Sequence, residues 1–304
     1  MNATHSGNPA SGQIIDGRAI AAQVQKETAT RVAALIQRGI RPGLAFIRVG
    51  EDPASQVYVG MKEKRAAELG ILSVTHVLPA ETSQDDLIRR IEALNQDPKV
   101  HGILVQAPLP RHISETAVFS SVLPSKDVDG FHPVNVGKLL LGATDGFRPC
   151  TPAGVHELLL RTGVVLAGAE VVILGRGNIV GKPMASILMQ KGLQADCTVT
   201  VVHSRTRDIA AHCRRADVLV AAMGSPEFVK ADMVKPGAVV IDVGVNRVAD
   251  PASRSGVRLV GDVAFGEVRP RTSWITPNPG GVGPMTIAML MANVVRAAEA
   301  HTCS

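Results

Sequence analysis

Aromatic residues are scarce in this chain of 304 residues, where one Trp, one Tyr and six Phe make up only 3% of the total. A hydrophobic core must therefore be built mainly from Val, Ile, Leu and Ala. No apolar run approaches the roughly 18 residues of a transmembrane helix, which excludes a membrane-spanning protein. At about 150 residues per domain, the length predicts two domains as a first estimate.

Cysteine is also rare, and none of the cysteines forms a CxxC pair: they are Cys150, Cys197, Cys213 and Cys303. Neither a disulfide framework nor a zinc ribbon is expected, no metal site is predicted, and a reducing cytoplasm fits best. Residues 1–12 are polar and lack the basic and apolar regions of a signal peptide. They predict a loose N-terminal tail.

The net charge of +5 favours anionic ligands. A basic chain can bind nucleic acid, but there is no Lys/Arg block, no aromatic-basic interleaving and no nucleic-acid motif. Small phosphorylated or carboxylated molecules are therefore the expected ligands.

Helical and strand-like patterns alternate along the first half of the chain. The predicted elements are a helix ending at Gly39, a buried strand at 43–50, a helix at 55–69, a helix capped by Ser83 with Asp86 as capping-box partner, and a buried strand at 102–106. This alternation is typical of βαβ units on a parallel sheet.

The second half predicts another sheet. A loop-rich stretch at 124–149 places the domain boundary near its end, and Thr151-Pro152 is typical of a helix start. Strand-like runs follow at 171–174, 198–202, 218–221 and 238–242, spaced as in a doubly wound parallel sheet. The final stretch, 284–300, predicts one helix.

A glycine-rich turn follows the first of these strands and opens a helix. Its sequence is Gly175-Arg-Gly-Asn-Ile-Val-Gly181, one residue longer than the usual dinucleotide-binding fingerprint. Glycines at such a turn let backbone N–H groups approach a pyrophosphate. Taken alone the motif is weak, and a plain glycine-rich turn accounts for it nearly as well.

The next strand indicates which nucleotide is bound. It ends in His203-Ser204-Arg205 and carries no acid that could receive a ribose 2′-OH. Arg176 and Arg205, together with Ser204, suit a 2′-phosphate instead, which favours NADP. The alternative is that both arginines are solvated surface residues.

Candidate catalytic residues lie in the first half. Tyr58, the only tyrosine, and Lys62 share one helix face, where the phenol can hold a flat substrate and a desolvated amine can act as a base. The spacing alone favours an amphipathic helix with a snorkelling lysine. Gln106 ends a buried strand and Asp129 precedes Gly130, at positions that suit a ligand site or, for Asp129, a simple turn.

Together these segments resemble the bacterial bifunctional methylenetetrahydrofolate dehydrogenase/methenyltetrahydrofolate cyclohydrolases, the FolD family, over residues 14–300. The resemblance is carried by Pro53-Ala-Ser-x-x-Tyr58-x-x-x-Lys62, Gly102-Ile-Leu-Val-Gln106, Lys126-Asp-Val-Asp-Gly-Phe-His-Pro133, Pro149-Cys-Thr-Pro152, Gly175-Arg176 with Ile179-Val-Gly181, and Pro279-Gly-Gly-Val-Gly-Pro284.

This resemblance implies oxidation of 5,10-methylenetetrahydrofolate by NADP, followed by hydrolysis of the methenyl cation to 10-formyltetrahydrofolate. It implies an α/β fold with an N-terminal catalytic domain at 13–149 and a Rossmann-type doubly wound domain at 150–283, with a cleft between them. The final helix, 284–304, is expected to pack back on the first domain. A homodimer through the Rossmann-type domain is the expected assembly.

The resemblance also implies roles for individual residues. Lys62 is the main catalytic residue of the hydrolytic step, Tyr58 packs on the folate, Gln106 hydrogen-bonds the lysine, and Asp129 holds the pterin ring. The other implied substrate positions are Val59, Gly60, Met61, Val105, Ala107, Pro279, Gly280, Gly281, Val282 and Gly283. The implied nucleotide positions are Gly175, Arg176, Gly177, Ser204 and Val245. Arg205 is included as well, because its positive charge suits the 2′-phosphate.

Some positions depart from the family pattern. Gly177 stands where Ser is frequent, Ala107 where Leu is usual, and Asn278 where Val is usual. None of them removes a catalytic group, so they concern nucleotide affinity and the fit of the folate pocket.

Competing interpretations are a short-chain dehydrogenase, a dehydrogenase-only relative and a non-catalytic nucleotide-binding module. The first shares the Tyr-x-x-x-Lys pair but has its glycine turn before that pair, whereas here the order is reversed. Lys62 and Gln106 argue against the second, and the intact set of Tyr58, Lys62, Gln106 and Asp129 argues against the third.

Overall fold

The computed structural model describes residues 12–192, 194–253 and 256–301. The predicted tail therefore lies outside the described residues except for Gly12, as do Cys303 and the last three residues of the predicted final helix. Among the described helices, none is long and apolar enough to cross a bilayer.

The helices are α1 (Gly17–Gln37), α2 (Pro53–Glu68), α3 (Gln84–Gln96), α4 (Glu115–Ser121), α5 (Pro133–Leu140), α6 (Cys150–Arg161), α7 (Gly181–Leu188), α8 (Ile209–Cys213), α9 (Phe265–Val268) and α10 (Val282–His301). The strands are β1 (Gln13–Ile14), β2 (Gly43–Val49), β3 (Leu72–Leu78), β4 (Gly102–Val105), β5 (Glu170–Leu174), β6 (Thr198–Val202), β7 (Val218–Ala221), β8 (Ala238–Asp242), β9 (Asn246–Ala249), β10 (Val257–Val260) and β11 (Thr272–Ile275). Short 3₁₀ turns occupy Ala231–Met233 and Arg269–Arg271.

The chain divides into two compact units, each built from two segments. The large-sheet unit contains Thr151–Met285 and the described residues up to Ile20. The small-sheet unit contains Ala21–Cys150 and α10 from Thr286 onwards.

The large-sheet unit is organised around a parallel sheet with strand order β1-β11-β8-β7-β5-β6. Its central strands are runs of buried Val, Ile, Leu and Ala, as expected for strands that are covered on both faces. The strand order reverses beside β5, since the chain first adds β6 on one side and then β7 on the other. The predicted strands of the second half are confirmed as β5 to β8.

The small-sheet unit contains the parallel sheet β3-β2-β4. One face of this sheet packs on the apolar side of α10, where Leu290 and Val294 join a cluster with Phe46 and Leu104. Arg31 also donates two hydrogen bonds to the Glu299 carboxylate, at 3.0 and 2.6 Å. The last helix is thus part of this unit's core.

The predicted cap of α3 is confirmed, since the Ser83 hydroxyl accepts the Asp86 N–H at 3.1 Å. The predicted start at Thr151 is wrong, because α6 begins at Cys150 and Thr151 lies in its first turn. The predicted boundaries also differ from the structure at residues 13–20. These residues belong to the large-sheet unit, where β1 pairs with β11.

His101 gives the small-sheet unit a pH-dependent contact. Its Nδ1 accepts the backbone N–H of Gly43 at 3.0 Å. Burial, followed by the charges of His301 and Lys126, lowers the pKa of His101 from its ordinary 6.5. Below pH 6.5 the unfolded chain therefore takes up this proton before the folded chain does, and stability present above pH 6.5 is lost as the pH falls.

We expect the His101→Asn variant to have a flatter stability profile than the wild type. The Asn Oδ1 can still accept the Gly43 N–H, but it does not titrate. Denaturant unfolding between about pH 5 and pH 8 measures this, with the exposed His112→Asn as control. Parallel profiles for the wild type and His101→Asn would contradict the assignment.

Candidate active site

Lys62 lies on α2, with its amine turned into the protein. The helix starts at Pro53, where the Asp52 carboxylate accepts the Ser55 N–H at 2.7 Å. Lys62 is only 8% exposed, and its Nζ donates to Oε1 of Gln106 at 2.9 Å. Lys62 is therefore not the exposed, snorkelling lysine of the alternative interpretation.

Gln106 follows β4 and is oriented by its own neighbour. Its Nε2 donates to the carbonyl of Ala107 at 2.6 Å, which leaves Oε1 directed at Lys62. A neutral acceptor stabilises the position of the lysine amine without adding a negative charge. The amide therefore fixes where a proton on Nζ would be gained or lost.

The side of α2 next to Lys62 is open. Tyr58 is 39% exposed and Met61 is 43% exposed, so both are available to a ligand. Val59 and Val105 are not, because their side chains are 3% and 5% exposed and pack in the hydrophobic cores. For these two predicted substrate positions, only backbone contacts are open.

Asp129 is half-buried in the loop between α4 and α5. Burial raises the pKa of the Asp129 carboxyl, while the charge of Lys62 and a hydrogen bond with Cys150 lower it. The carboxyl and the amine are thus close enough to interact. The structure brings together Lys62, Gln106 and Asp129, which are far apart in the sequence.

Asp127 holds the loop that carries Asp129, and the sequence analysis did not identify it. Its carboxylate accepts four hydrogen bonds, from the backbone N–H groups of Gly130 (3.1 Å), Phe131 (3.1 Å) and His132 (2.8 Å) and from Nδ2 of Asn135 (2.8 Å). Burial is the main cause that raises the pKa of Asp127 to about 6. The Asp-x-Asp-Gly sequence was a signal that an anchoring carboxylate lies beside the functional one.

The glycine-rich turn lies between β5 and α7, at the edge where the strand order reverses. Gly175 has φ +113°, and a Cβ there would lie 2.2 Å from the carbonyl oxygen of Ala222. A Cβ on Gly181 would lie 2.2 Å from the carbonyl of Gly175, whereas Gly177 faces open space. In parallel sheets, dinucleotides bind outside the carboxyl ends of the strands at the point where the strand order reverses, which is where this turn lies.

The residues predicted to select NADP lie in this turn and after β6. Arg176, Ser204 and Arg205 are all exposed. The turn after β6 is closed by Arg205 N–H donating to Nδ1 of His203 at 3.1 Å. Within the described part of the chain, neither arginine forms an ion pair with a carboxylate, so both guanidinium groups fit a phosphate.

Two buried aspartates order the neighbouring loops, and both were missed. Asp262 accepts the backbone N–H groups of Met223 (2.6 Å), Gly224 (2.9 Å) and Ser225 (2.9 Å) and Nδ2 of Asn246 (2.9 Å). Asp242 accepts the backbone N–H groups of Gly244 (3.1 Å), Asp262 (2.9 Å) and Val263 (3.1 Å). Burial raises the pKa of Asp242 to about 7. A charged residue ending the Ala-Val-Val-Ile strand was the available signal.

The predicted substrate loop, Pro279 to Gly283, belongs to the large-sheet unit. It follows Thr276, whose hydroxyl accepts the backbone N–H of Asp242 at 2.8 Å. Gly280 has φ +109°, a conformation that favours glycine. The predicted site residues are therefore divided, with the lysine cluster in one unit and this loop and the nucleotide residues in the other.

Comparison with known families agrees with this division. Residues 15–129 match the catalytic domain of tetrahydrofolate dehydrogenase/cyclohydrolase, and residues 149–302 match its NAD(P)-binding domain. The chain belongs to the tetrahydrofolate dehydrogenase/cyclohydrolase family. The bifunctional protein FolD of Moorella thermoacetica is 54% identical over 287 residues, which cover 94% of this chain and 99% of the relative.

Solved structures of the same family are also similar. The bifunctional FolD dehydrogenase/cyclohydrolase of Campylobacter jejuni is 47% identical with a TM-score of 0.89, covering 95% of this chain and 99% of its own. The Trypanosoma brucei enzyme, solved with NADP and an inhibitor, is 44% identical with a TM-score of 0.92. The match covers 97% of this chain and 100% of the Trypanosoma brucei chain.

These matches confirm several predictions made from the sequence. The family, the two-domain α/β fold class, the paired dehydrogenase and cyclohydrolase activities and NADP as the cofactor all agree. The dehydrogenase-only and non-catalytic interpretations are accordingly set aside. The roles of individual residues rest on the geometry described above.

Proposed function

We propose that Lys62 is the base of the hydrolytic step and that Gln106 and Asp129 hold it for that task. The observation that carries this proposal is the buried amine of Lys62, which is 8% exposed and donates to Oε1 of Gln106 at 2.9 Å. A base that is shielded from bulk water and held in one position is suited to activate a single water molecule.

The first reaction removes a hydride from the methylene carbon of 5,10-methylenetetrahydrofolate. When bound, NADP supplies the acceptor of that hydride. This step needs no acid or base from the protein, so the contribution of the chain is to position the reacting groups. The carbon that has lost the hydride belongs to the 5,10-methenyl cation.

In the second reaction, water adds to the methenyl carbon and gives a proton to Nζ of Lys62. The hydroxyl proton of this adduct passes to the ring nitrogen N5 as the bond from the carbon to N5 breaks, which leaves N5–H and a formyl group on N10. Lys62 then releases its proton to solvent. Only the lone pair of a neutral Nζ can take this proton, so the reacting form of Lys62 in this step is the free amine. The negative charge of the Asp129 carboxylate stabilises the Lys62 ammonium group once it has formed.

Substrate binding is assigned to the open side of α2 and to two loops. The exposed Tyr58 ring gives a flat apolar surface for the folate ring system. The Asp129 carboxylate accepts N–H donors of the pterin. Gly60, Met61 and Ala107, and the loop from Pro279 to Gly283, complete the folate positions.

Nucleotide binding is assigned to the crevice beside β5. The absence of side chains at Gly175 and Gly177 lets backbone N–H groups approach the pyrophosphate. Arg176, Arg205 and the Ser204 hydroxyl bind the 2′-phosphate by charge-assisted hydrogen bonds. Val245 is 53% exposed and offers an apolar contact.

The assembly that we propose is a homodimer through the large-sheet unit, in the cytoplasm. In support, β9 and β10 form an antiparallel pair outside the main sheet, with Val257 and Leu259 39% and 45% exposed. Light scattering coupled to size exclusion should give twice the chain mass of 31.9 kDa, and Leu259→Lys should reduce it. A wild-type monomer would contradict the dimer.

One spectral time course tests both activities. The protein is mixed with 5,10-methylenetetrahydrofolate and NADP, and separately with NAD, because reduced nicotinamide absorbs apart from the methenyl product. Persistent reduced nicotinamide with only a transient methenyl signal is expected. Methenyl that decays no faster than without enzyme would remove Lys62 from its role, and no signal with either nucleotide would contradict the whole proposal.

A further inference from the structure

Asn278 joins the predicted folate loop to a loop of the nucleotide crevice. Its Nδ2 donates to the carbonyl oxygen of Gly244, in the segment between β8 and β9. Gly244 adjoins Val245, a predicted nucleotide contact, and Asn278 adjoins Pro279, where the predicted folate loop begins. A single side-chain hydrogen bond thus connects the two ligand-binding segments.

The connection continues beyond Gly244 to the glycine-rich turn. The Gly244 N–H donates to Asp242, and a Cβ on Gly244 would lie 2.2 Å from the Asp262 carboxylate. Asp262 in turn holds the backbone from Met223 to Ser225, which directly follows Ala222, the residue against which Gly175 packs. Every step in this path is a direct contact within the large-sheet unit.

This contact depends on the side chain at position 278. A valine at position 278 would have no donor for the Gly244 carbonyl. The remaining contacts of the path do not depend on the side chain at position 278. The Asn278 amide therefore adds a connection to the one made by the Thr276 hydroxyl, which already joins this segment to Asp242.

We propose that Asn278 is a positioning residue that couples the binding of reduced folate to the binding of NADP. A ligand that orders one of two connected loops also orders the other, so the second ligand meets a site that is already arranged. By linkage, each ligand must then tighten the other by the same factor. The inference rests on the proposed function, because it takes the ligand of each loop from there.

Calorimetric titration measures this coupling without turnover. NADP is titrated into the protein alone and with saturating tetrahydrofolate, which lacks the carbon that gives up a hydride. The ratio of the two dissociation constants is the coupling factor. We expect NADP to bind more tightly in the presence of tetrahydrofolate in the wild type.

The Asn278→Asp variant has the same shape but cannot donate to the Gly244 carbonyl when ionised. We expect its coupling factor to fall by about 3- to 10-fold, towards one, as for the loss of one hydrogen bond. The affinity for each ligand alone should stay within about 2-fold of the wild type, since the remaining loop contacts persist. Asn278→Val is the second variant, and it removes the donor without adding a charge.

Ser273→Ala is the matched control, because it removes a hydroxyl from β11 that makes only a 3.4 Å bond to Ala238. It should keep the wild-type coupling factor. Wild-type coupling in both Asn278 variants, or an equal loss of both affinities with coupling unchanged, would overturn the inference. A wild type that binds neither ligand would overturn the proposed function itself, whereas one that binds both without coupling would overturn only the role of Asn278.

Discussion

Replacement of Lys62 by Met abolishes hydrolysis of the methenyl intermediate but leaves hydride transfer in place. Methionine fills a similar volume without a group that can take a proton from water, and general-base catalysis typically contributes about 10²- to 10⁴-fold. We therefore expect methenyltetrahydrofolate to accumulate, as seen by its absorbance. Reduced nicotinamide should still form, because that step needs no base from the chain.

The matched control for this variant is Lys64→Met. Lys64 lies on the same helix but is exposed, whereas Lys62 is 8% exposed. The control should keep both reactions at the wild-type rate. Wild-type hydrolysis by the Lys62→Met protein would exclude Lys62 as the base, and loss of both reactions in Lys64→Met would point to damage of α2 instead.

The Arg176→Ala variant should bind NADP much more weakly but NAD almost normally. A hydrogen bond to a charged group contributes about 1.5–3 kcal/mol, which corresponds to a loss of about 10- to 150-fold for NADP. NAD has no 2′-phosphate, so its dissociation constant should change by less than about 3-fold. Calorimetry or fluorescence titration with both nucleotides gives the comparison.

Arg207→Ala serves as the control, because Arg207 is also exposed and follows the turn that carries Arg205. Removal of the Arg207 guanidinium should lower the net charge of the protein but leave the discrimination between NADP and NAD unchanged. Equal losses of NADP and NAD affinity in Arg176→Ala would show that Arg176 does not bind the 2′-phosphate.

The elements that could be predicted from the sequence are those whose pattern is local. The buried strands β5 and β8 are short runs rich in Val and Ile between turns, and such runs are typical of strands covered on both faces. In contrast, β3 is an edge strand with mixed exposure, and its Leu-Ser-Val-Thr-His-Val-Leu sequence gave no clear strand signal. β1 has only two residues, and its partner β11 lies at the far end of the chain.

The same distinction applies to the candidate site. Lys62 and Gln106 could be named because the motifs around them resemble a known family, and the structure adds that they touch. Asp262 could not be found, because its role depends on backbone N–H groups 37 to 39 residues away in the sequence. The family resemblance implied that consecutive residues of α2, including Val59, contact the substrate. Helical periodicity instead turns the Val59 side chain into the core.

The placement of α10 in the core of the small-sheet unit also constrains how the chain folds as it is synthesised. Phe46 and Leu104 leave the ribosome before the segment Thr151–Met285, whereas Leu290 and Val294, which share their cluster, leave it after that segment. Until then, this face of the first sheet has no apolar cover from α10. The small-sheet unit can therefore complete its core only after Thr151–Met285 has been synthesised, and a nascent chain stalled before α10 would present this face to chaperones.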